Sequence, residues 1–262
     1  MEAVAARTWY HTIELPGGIV TPGHFDTRTA CARIPFPASL AGKRCLDVGT
    51  SDGFWAFEME RRGAREVIAL DIDDPLEYDW PEPAPAPGTG VLANQELGVN
   101  SNFALAHKAL GSQVQRIATR VYDVVPDELG TFDFVFMGSL MLHLRDPVLA
   151  LSRVRGLVGG EFLSNENISL STTLTHPRIA AGSLHADGYP RWWTPNLMAF
   201  RRMLRAAGFV ILSAGRPYFM PFGPGQSRPN WALQGITIGR IAFNLLLLPR
   251  GAPCAWALCR AE

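Results

Sequence analysis

The sequence predicts an α/β fold, a mostly parallel sheet with helices on both faces, and two observations carry that prediction. From Lys43 onward, short apolar runs of strand length alternate with helical runs, the pattern that a parallel sheet with crossover helices requires. Within it, CLDVGTSDGFWAFEMERRGA (Cys45–Ala64) opens as a buried strand, breaks at a glycine-containing turn and resumes as a helix. That layout is the one a nucleotide-cofactor site uses. At 262 residues the chain is long enough for one large domain.

The elements follow in order. Lys43–Gly49 reads as the first strand and Phe54–Arg62 as the helix after it. That helix sets Phe54, Phe57 and Arg61 along one side, pairs Glu58 with Arg62 at i,i+4, and stops at Gly63. Val67–Asp71 is the second strand, Asn100–Leu110 a helix, and a third strand ends near Tyr122. Phe132–Met137 is the fourth strand, Pro147–Leu157 a helix, and Glu161–Ser164 the fifth strand. Pro195–Ala207, closed by Gly208, is a helix leading into FVILSAG as the sixth strand, and Pro253–Arg260 forms the last. The run WPEPAPAPGTG (Trp80–Gly90) sustains neither helix nor central strand and reads as a loop inserted after the second strand. Residues 1–42 form an N-terminal cap segment, residues 43–262 the cofactor-binding domain, and residues 218–250 a substrate-facing insertion.

Composition narrows the function. Hydrophobic residues at 47% and charged residues at 18% describe a compact globular chain. Lys and Arg (24) balance Asp and Glu (24), and with no dense basic run this argues against nucleic acid as a partner. Cys31, Cys45, Cys254 and Cys259 form no C-x-x-C pair, so no zinc site of the usual spacing is expected. MEAVAARTWYHTIELPGG lacks a basic start followed by an apolar block, which points to a cytoplasmic location. Ile236–Leu248 is strongly apolar but shorter than the roughly 20 residues a membrane helix needs. Gln234, Thr237, Arg240 and Asn244 give it a polar stripe, so it reads as a core-packed or lid helix, with a homodimer interface as the alternative.

The turn Gly49-Thr50-Ser51-Asp52-Gly53 lacks the G-x-G-x-x-G spacing of dinucleotide sites. Asp47 and Asp52 place negative charge where a pyrophosphate would need none. A ligand carrying an ammonium and a sulfonium suits such a turn. Asp71, at the end of the second strand, is placed to take both ribose hydroxyls, with Ile72 beside it. Asp123 closes the third strand, where it can accept from an adenine amino group, with Tyr122 lining the ring. Together these carboxylates favour S-adenosylmethionine (SAM) over NAD.

LDVGTSDG, ALDID, VYD and FDFVFMGSLMLHLRDP resemble the class I SAM-dependent methyltransferases, nearest the branch that contains the tRNA wobble-uridine carboxymethyltransferase. WYHTIELPGGIVTPG and WWTPNLMAFRRMLRAAGF resemble the same branch, so the resemblance runs from about Trp9 to Gly208. It implies a Rossmann-like, seven-stranded, mostly parallel sheet whose last strand is antiparallel. It also implies that Gly49, Thr50, Ser51 and Gly53, with Asp47 behind them, hold the methionine end, and that Met137 and Gly138 line the donor pocket. The carboxymethylating enzymes place a lysine, a tyrosine and an arginine around the extra carboxylate of their donor. This chain has His11 and Leu142 at the first two, and the third falls near Pro190, with Arg191 beside it but out of register; these departures imply ordinary SAM and methyl transfer.

Methyl transfer to an amine or hydroxyl needs a proton acceptor, and histidine suits that task. His143, after the fourth strand, and His11, in the cap segment, are the candidates; each has a structural alternative, a loop contact or a pocket cap. His24 and His185 are weaker candidates. No acid stands in the MGS at the end of the fourth strand, so no catalytic metal is expected. The expected function is methyl transfer to an oxygen or nitrogen of a small, partly apolar metabolite. A tRNA-modifying enzyme and a non-catalytic SAM-binding protein are the alternatives.

Overall fold

The computed structural model describes residues 2–83, 100–185, 191–226 and 251–262. Seven strands form the central path of one sheet: β1 (Arg44–Val48), β2 (Glu66–Asp71), β3 (Gln115–Ala118), β4 (Phe132–Gly138), β5 (Val158–Asn167), β6 (Phe209–Ala214) and β7 (Ala252–Ala261). Their order across the sheet is β6-β7-β5-β4-β1-β2-β3. Strands β1 to β5 pair in parallel with their neighbours, whereas β7 runs antiparallel between β5 and β6. The α/β class and the antiparallel last strand stand as expected. An eighth strand, Tyr218–Met220, pairs with Ala252–Cys254 on the edge of β7 that β6 occupies further along. Three residues are too short a run for periodicity to betray.

Alternation along the strands sorts the core onto two faces. On one, Phe134 and Phe136 of β4 meet Trp55 and Phe57 of α1 (Phe54–Arg61), with Trp9, Ile13, Leu15 and Phe36 of the N-terminal segment in the same cluster. Trp55 and Phe136 lie 4.3 Å apart between ring centroids. On the other, Leu46, Val135, Met137 and Phe162 meet Leu151 of α3 (Pro147–Arg155) and Phe200 of α4 (Leu197–Ala206). Helix α2 (Ser101–Leu110) adds Phe103 to the first face. Cys45, Cys254 and Cys259 are buried and unbridged.

Of the element boundaries that differ from expectation, three do so for a local reason. Strand β3 stops at Ala118 because its partner ends: Ala118 pairs with Asp71, and Thr119 N donates to the Asp71 carbonyl at 2.9 Å. Tyr122 and Asp123 therefore sit in a single 3-10 turn, Val121–Asp123. Strand β5 begins earlier, at Val158, where two glycines mask the strand pattern. Gly160 is needed there, since a Cβ would lie 2.2 Å from the Asp133 carbonyl oxygen. Helix α4 starts at Leu197 rather than Pro195. Buried Asn196 caps it, accepting from Ala199 N at 2.8 Å and donating to the carbonyls of His176 and Ile179. The expected apolar helix at residues 236–248 and most of the Pro-rich run after Trp80 lie outside the described residues. Among the described residues, no helix is long and apolar enough to cross a membrane.

Candidate active site

Backbone geometry builds the turn after β1. Gly49 turns the chain with φ +76°, and the N–H groups of Gly49 and Thr50 both donate to the Leu70 carbonyl at 2.9 and 3.0 Å. Ser51 follows in the left-handed region at φ +51°, a costly conformation for a residue with a Cβ. Its N–H donates to Asp71 Oδ2 at 2.6 Å, and the other carboxylate oxygen accepts from Ile72 N at 2.8 Å. Asp71 thus fixes the turn and holds lone pairs toward the cleft. Burial raises its pKa above the ordinary carboxylate value, against the pull of these two N–H groups and of Arg116.

The turn closes a cleft of about 340 Å³ at the carboxyl ends of β1 to β4. Of the candidate cofactor residues, Gly49, Ser51, Asp71, Ile72, Tyr122 and Gly138 line it, and so does the candidate base His143. The others stand elsewhere. Asp47 and Thr50 are buried beneath the turn, joined by a 2.7 Å hydrogen bond from Thr50 Oγ1; burial pushes the Asp47 carboxyl up to about 7. Gly53 underlies α1 at φ +95°, where a Cβ would press on the Phe57 ring at 2.5 Å. Met137 is wholly buried in the core, and Asp123 is exposed outside the cleft because the 3-10 turn rotates it away.

His11 does not reach the cleft either. Its Nδ1 pairs with Asp52 Oδ1, and Asp52 Oδ2 accepts from the N–H groups of Tyr10 and His11 at 2.8 and 2.9 Å. This buried knot fastens the N-terminal segment over the turn. His11 lines instead a small pit between β4, β5 and that segment, with Tyr10, Ser139 and Asn165. Tyr10, Gly138 and Ser139 wall both spaces. Behind them, Glu166 accepts from Leu140 N at 3.4 Å and Met141 N at 3.1 Å, and burial pushes its carboxyl up to about 8. Between its ordinary value, about 4.5, and 8, the native state holds a proton that the unfolded chain has released. Stability from this group therefore falls as pH rises through that window. Glu166→Gln keeps an acceptor without the charge. Its stability advantage over the parent should grow by about 1–2 kcal/mol from pH 5 to pH 8 in urea titrations.

Sequence reasoning missed the cover of the cleft. Glu77, Tyr78, Asp79 and Trp80, from the segment after β2, line it. The Asp79 carboxylate accepts from Tyr122 Oη at 2.6 Å and Arg145 N at 2.8 Å, and its carbonyl accepts from Trp192 Nε1 at 2.6 Å. Trp193 Nε1 donates to the Arg145 carbonyl at 3.0 Å, so both indole N–H groups brace this cover. No residue pattern marks such a latch, because its partners lie 43 to 113 positions apart. Tyr10 and His24 also line the cleft, and burial lowers the His24 pKa below the ordinary value.

These residues fit SAM. Asp71 sets a carboxylate on the cleft wall of the kind a ribose would need, and Val48, Leu70, Ile72, Val121 and Leu144 make the apolar walls that a flat base would need. Glu77 and Asp71 on the walls suit a cationic ligand. A Cβ on Gly49 would meet the Leu140 side chain at 3.0 Å, so the turn keeps open a cradle that any other residue would fill.

The fold is the one that class I SAM-dependent methyltransferases share, and the cleft lies at the strand ends where such a fold binds its ligand. Among solved structures, the chain is similar to the 1,6-didemethyltoxoflavin-N1-methyltransferase of Burkholderia thailandensis, with a TM-score of 0.51, 17% identity, and coverage of 85% of this chain and 72% of the other. It is also similar to the magnesium protoporphyrin IX methyltransferase of Synechocystis PCC 6803, with a TM-score of 0.52, 14% identity, and coverage of 90% and 82%. At such identities the likeness is one of fold. No protein-family model matches the chain.

Sequence similarity points to a particular relative. The chain is 26% identical over 182 residues to the tRNA U34 carboxymethyltransferase of Desulforapulum autotrophicum, 67% of this chain and 47% of the relative. It spans about half the length of the curated relatives it matches. Further relatives at 24–26% identity bear the same name. They overturn the expectation, drawn from zero net charge, of a small-molecule acceptor with nucleic acid disfavoured. Net charge is a sum over the whole surface and says nothing about how charge is distributed.

Proposed function

We propose that the chain transfers a methyl group from SAM to an oxygen or nitrogen of a tRNA nucleobase. The observation that carries this reading is a cleft fitted to SAM on a chain whose sequence relatives are tRNA-directed. The sulfonium of SAM supplies an electrophilic methyl carbon, and alignment of the acceptor then supplies much of the rate. Asp71 would hold the ribose, Ile72 and Tyr122 the adenine, and the Gly49–Ser51 turn the methionine end. His143 and His24, both on the cleft wall, are the proton acceptors within reach of a bound base. His24 is held toward its neutral, proton-accepting form by burial.

Methyl rather than carboxymethyl transfer is supported by a residue beside the cleft. His11, which the resemblance sets at a lysine position, is tied up with Asp52 outside the cleft and offers the cleft no partner for a second carboxylate. Leu142 offers no hydroxyl, and Pro190 lies outside the described residues. The test is incubation with bulk tRNA and methyl-labelled SAM, followed by mass analysis of the digested nucleosides. A nucleoside heavier by one methyl is expected. Label absent from tRNA, with protein that binds S-adenosylhomocysteine, would overturn the acceptor. A carboxymethylated nucleoside, formed only when carboxy-SAM is supplied, would overturn the donor.

A further inference from the structure

The balanced charge conceals a division. Residues 1–144 carry 11 Lys and Arg against 19 Asp and Glu, a net of −8; residues 145–262 carry 13 Arg against 5 Asp and Glu, a net of +8. Charge asymmetry of this size between two halves of one chain is a signature of polyanion binding. In the fold, the basic half supplies one edge of the molecule. Helices α3 and α4 and strands β6 and β7 hold Arg153, Arg155, Arg201, Arg202, Arg205 and Arg260 and not one carboxylate.

These four elements are contiguous. Helix α3 packs on α4, α4 on β6, and β6 pairs with β7 at the sheet edge. Arg155 lies over Gly208, where a Cβ would be 3.0 Å from its Cδ, and donates to the Glu262 carbonyl at 3.2 Å. Arg260 pairs in register with Val210. Arg153, Arg202, Arg205 and Arg260 are exposed, and among the described residues none of the six forms a salt bridge. The carboxylates nearest by position are Glu161, one register step beyond the Cys259–Phe162 pair and so opposite Arg260, Asp146 at the start of α3, Glu262 and, where Pro126 abuts Gly156, Asp127 and Glu128.

Location identifies the size of the ligand. Arg153 and Arg155 precede the start of β5, Arg205 precedes the start of β6, and Arg260 pairs beside that start. These are the amino ends of the parallel strands, whereas the cleft lies at their carboxyl ends. A small acceptor in the cleft could not touch this face; a long polyanion could reach both. We infer that the α3–α4–β6 edge, through Arg153, Arg202 and Arg205, binds the phosphate backbone of the RNA whose base enters the cleft. This assignment rests on the tRNA reading above.

The test is tRNA binding by fluorescence anisotropy across a salt series. It compares the parent chain, R153Q/R202Q/R205Q, and a control, R61Q, which removes an exposed arginine from the acidic half. S-adenosylhomocysteine binding is measured on each to establish an intact cleft. The triple variant should bind S-adenosylhomocysteine as the parent does, lose about tenfold or more in tRNA affinity near 0.1 M salt, and flatten the log–log salt slope by about two. R61Q should leave both unchanged. Parental tRNA binding by the triple variant would overturn the assignment while leaving the tRNA reading standing. Failure of the parent itself to bind tRNA at low salt, or binding to anionic phospholipid vesicles instead, would overturn both.

Discussion

Asp71→Ala is expected to weaken S-adenosylhomocysteine binding by about 100- to 10,000-fold. Two charge-assisted hydrogen bonds to the ribose would be lost, each worth about 1.5–3 kcal/mol, and about 1.4 kcal/mol is a tenfold change in affinity. A second effect acts in the same direction. The carboxylate is the acceptor that holds Ser51 N at 2.6 Å while Ser51 occupies the left-handed region. Without it, that turn loses its tether and the cradle beside Gly49 is no longer preformed. Asp71→Asn retains one oxygen and should fall between the two. Calorimetric titration of the three proteins, each checked for an unaltered thermal transition apart from ligand, reads the effect. Equal affinities would remove Asp71 from the site.

Asp52→Ala should destabilise the fold by about 3–5 kcal/mol, the cost of leaving a buried imidazole and two backbone N–H groups without their shared hydrogen-bond partner, at about 1–3 kcal/mol for each unsatisfied group. Asp52 and His11 are 2% and 4% exposed, so His11 cannot recover its lost partner from water. Two backbone N–H groups, the part-buried one of Tyr10 and the buried one of His11, lose their acceptor at the same time. Because this knot fastens the N-terminal segment, protease sensitivity should rise first around Trp9–Phe25, before the sheet unfolds. Asp52→Asn supplies an oxygen to those N–H groups and should lose about half as much. Urea midpoints with unchanged slope measure the loss. A change under about 1 kcal/mol for the alanine variant would show that the knot is not what holds the segment.

Much of this was legible where the physics is local. The strand–turn–helix at Cys45–Ala64 and the acid at the end of β2 follow from period, glycine placement and strand-end position, whereas the antiparallel direction of the last strand came from the family resemblance. The side of the turn on which each residue falls was not legible. Asp47, Thr50 and Gly53 alternate with Gly49 and Ser51 in sequence, yet only the latter two face the cleft. That division depends on the positive φ values at Gly49, Ser51 and Gly53, which one-dimensional pattern does not encode. Asp123 failed for a related reason, since the length of β3 is fixed by where β2 ends. The Asp79 latch and the Asp52 knot draw on residues 41 to 113 positions away, beyond the reach of any motif. Charge was misleading in a different manner: a zero total reported neither the acidic cleft half nor the arginine-lined edge.

The most direct test of the central claim is calorimetric titration of the purified chain with S-adenosylhomocysteine, run beside NAD under the same conditions. A cleft built on Asp71 and the Gly49–Ser51 turn predicts one saturable site for S-adenosylhomocysteine and no measurable binding of NAD. Saturable binding of NAD with none of S-adenosylhomocysteine would contradict it.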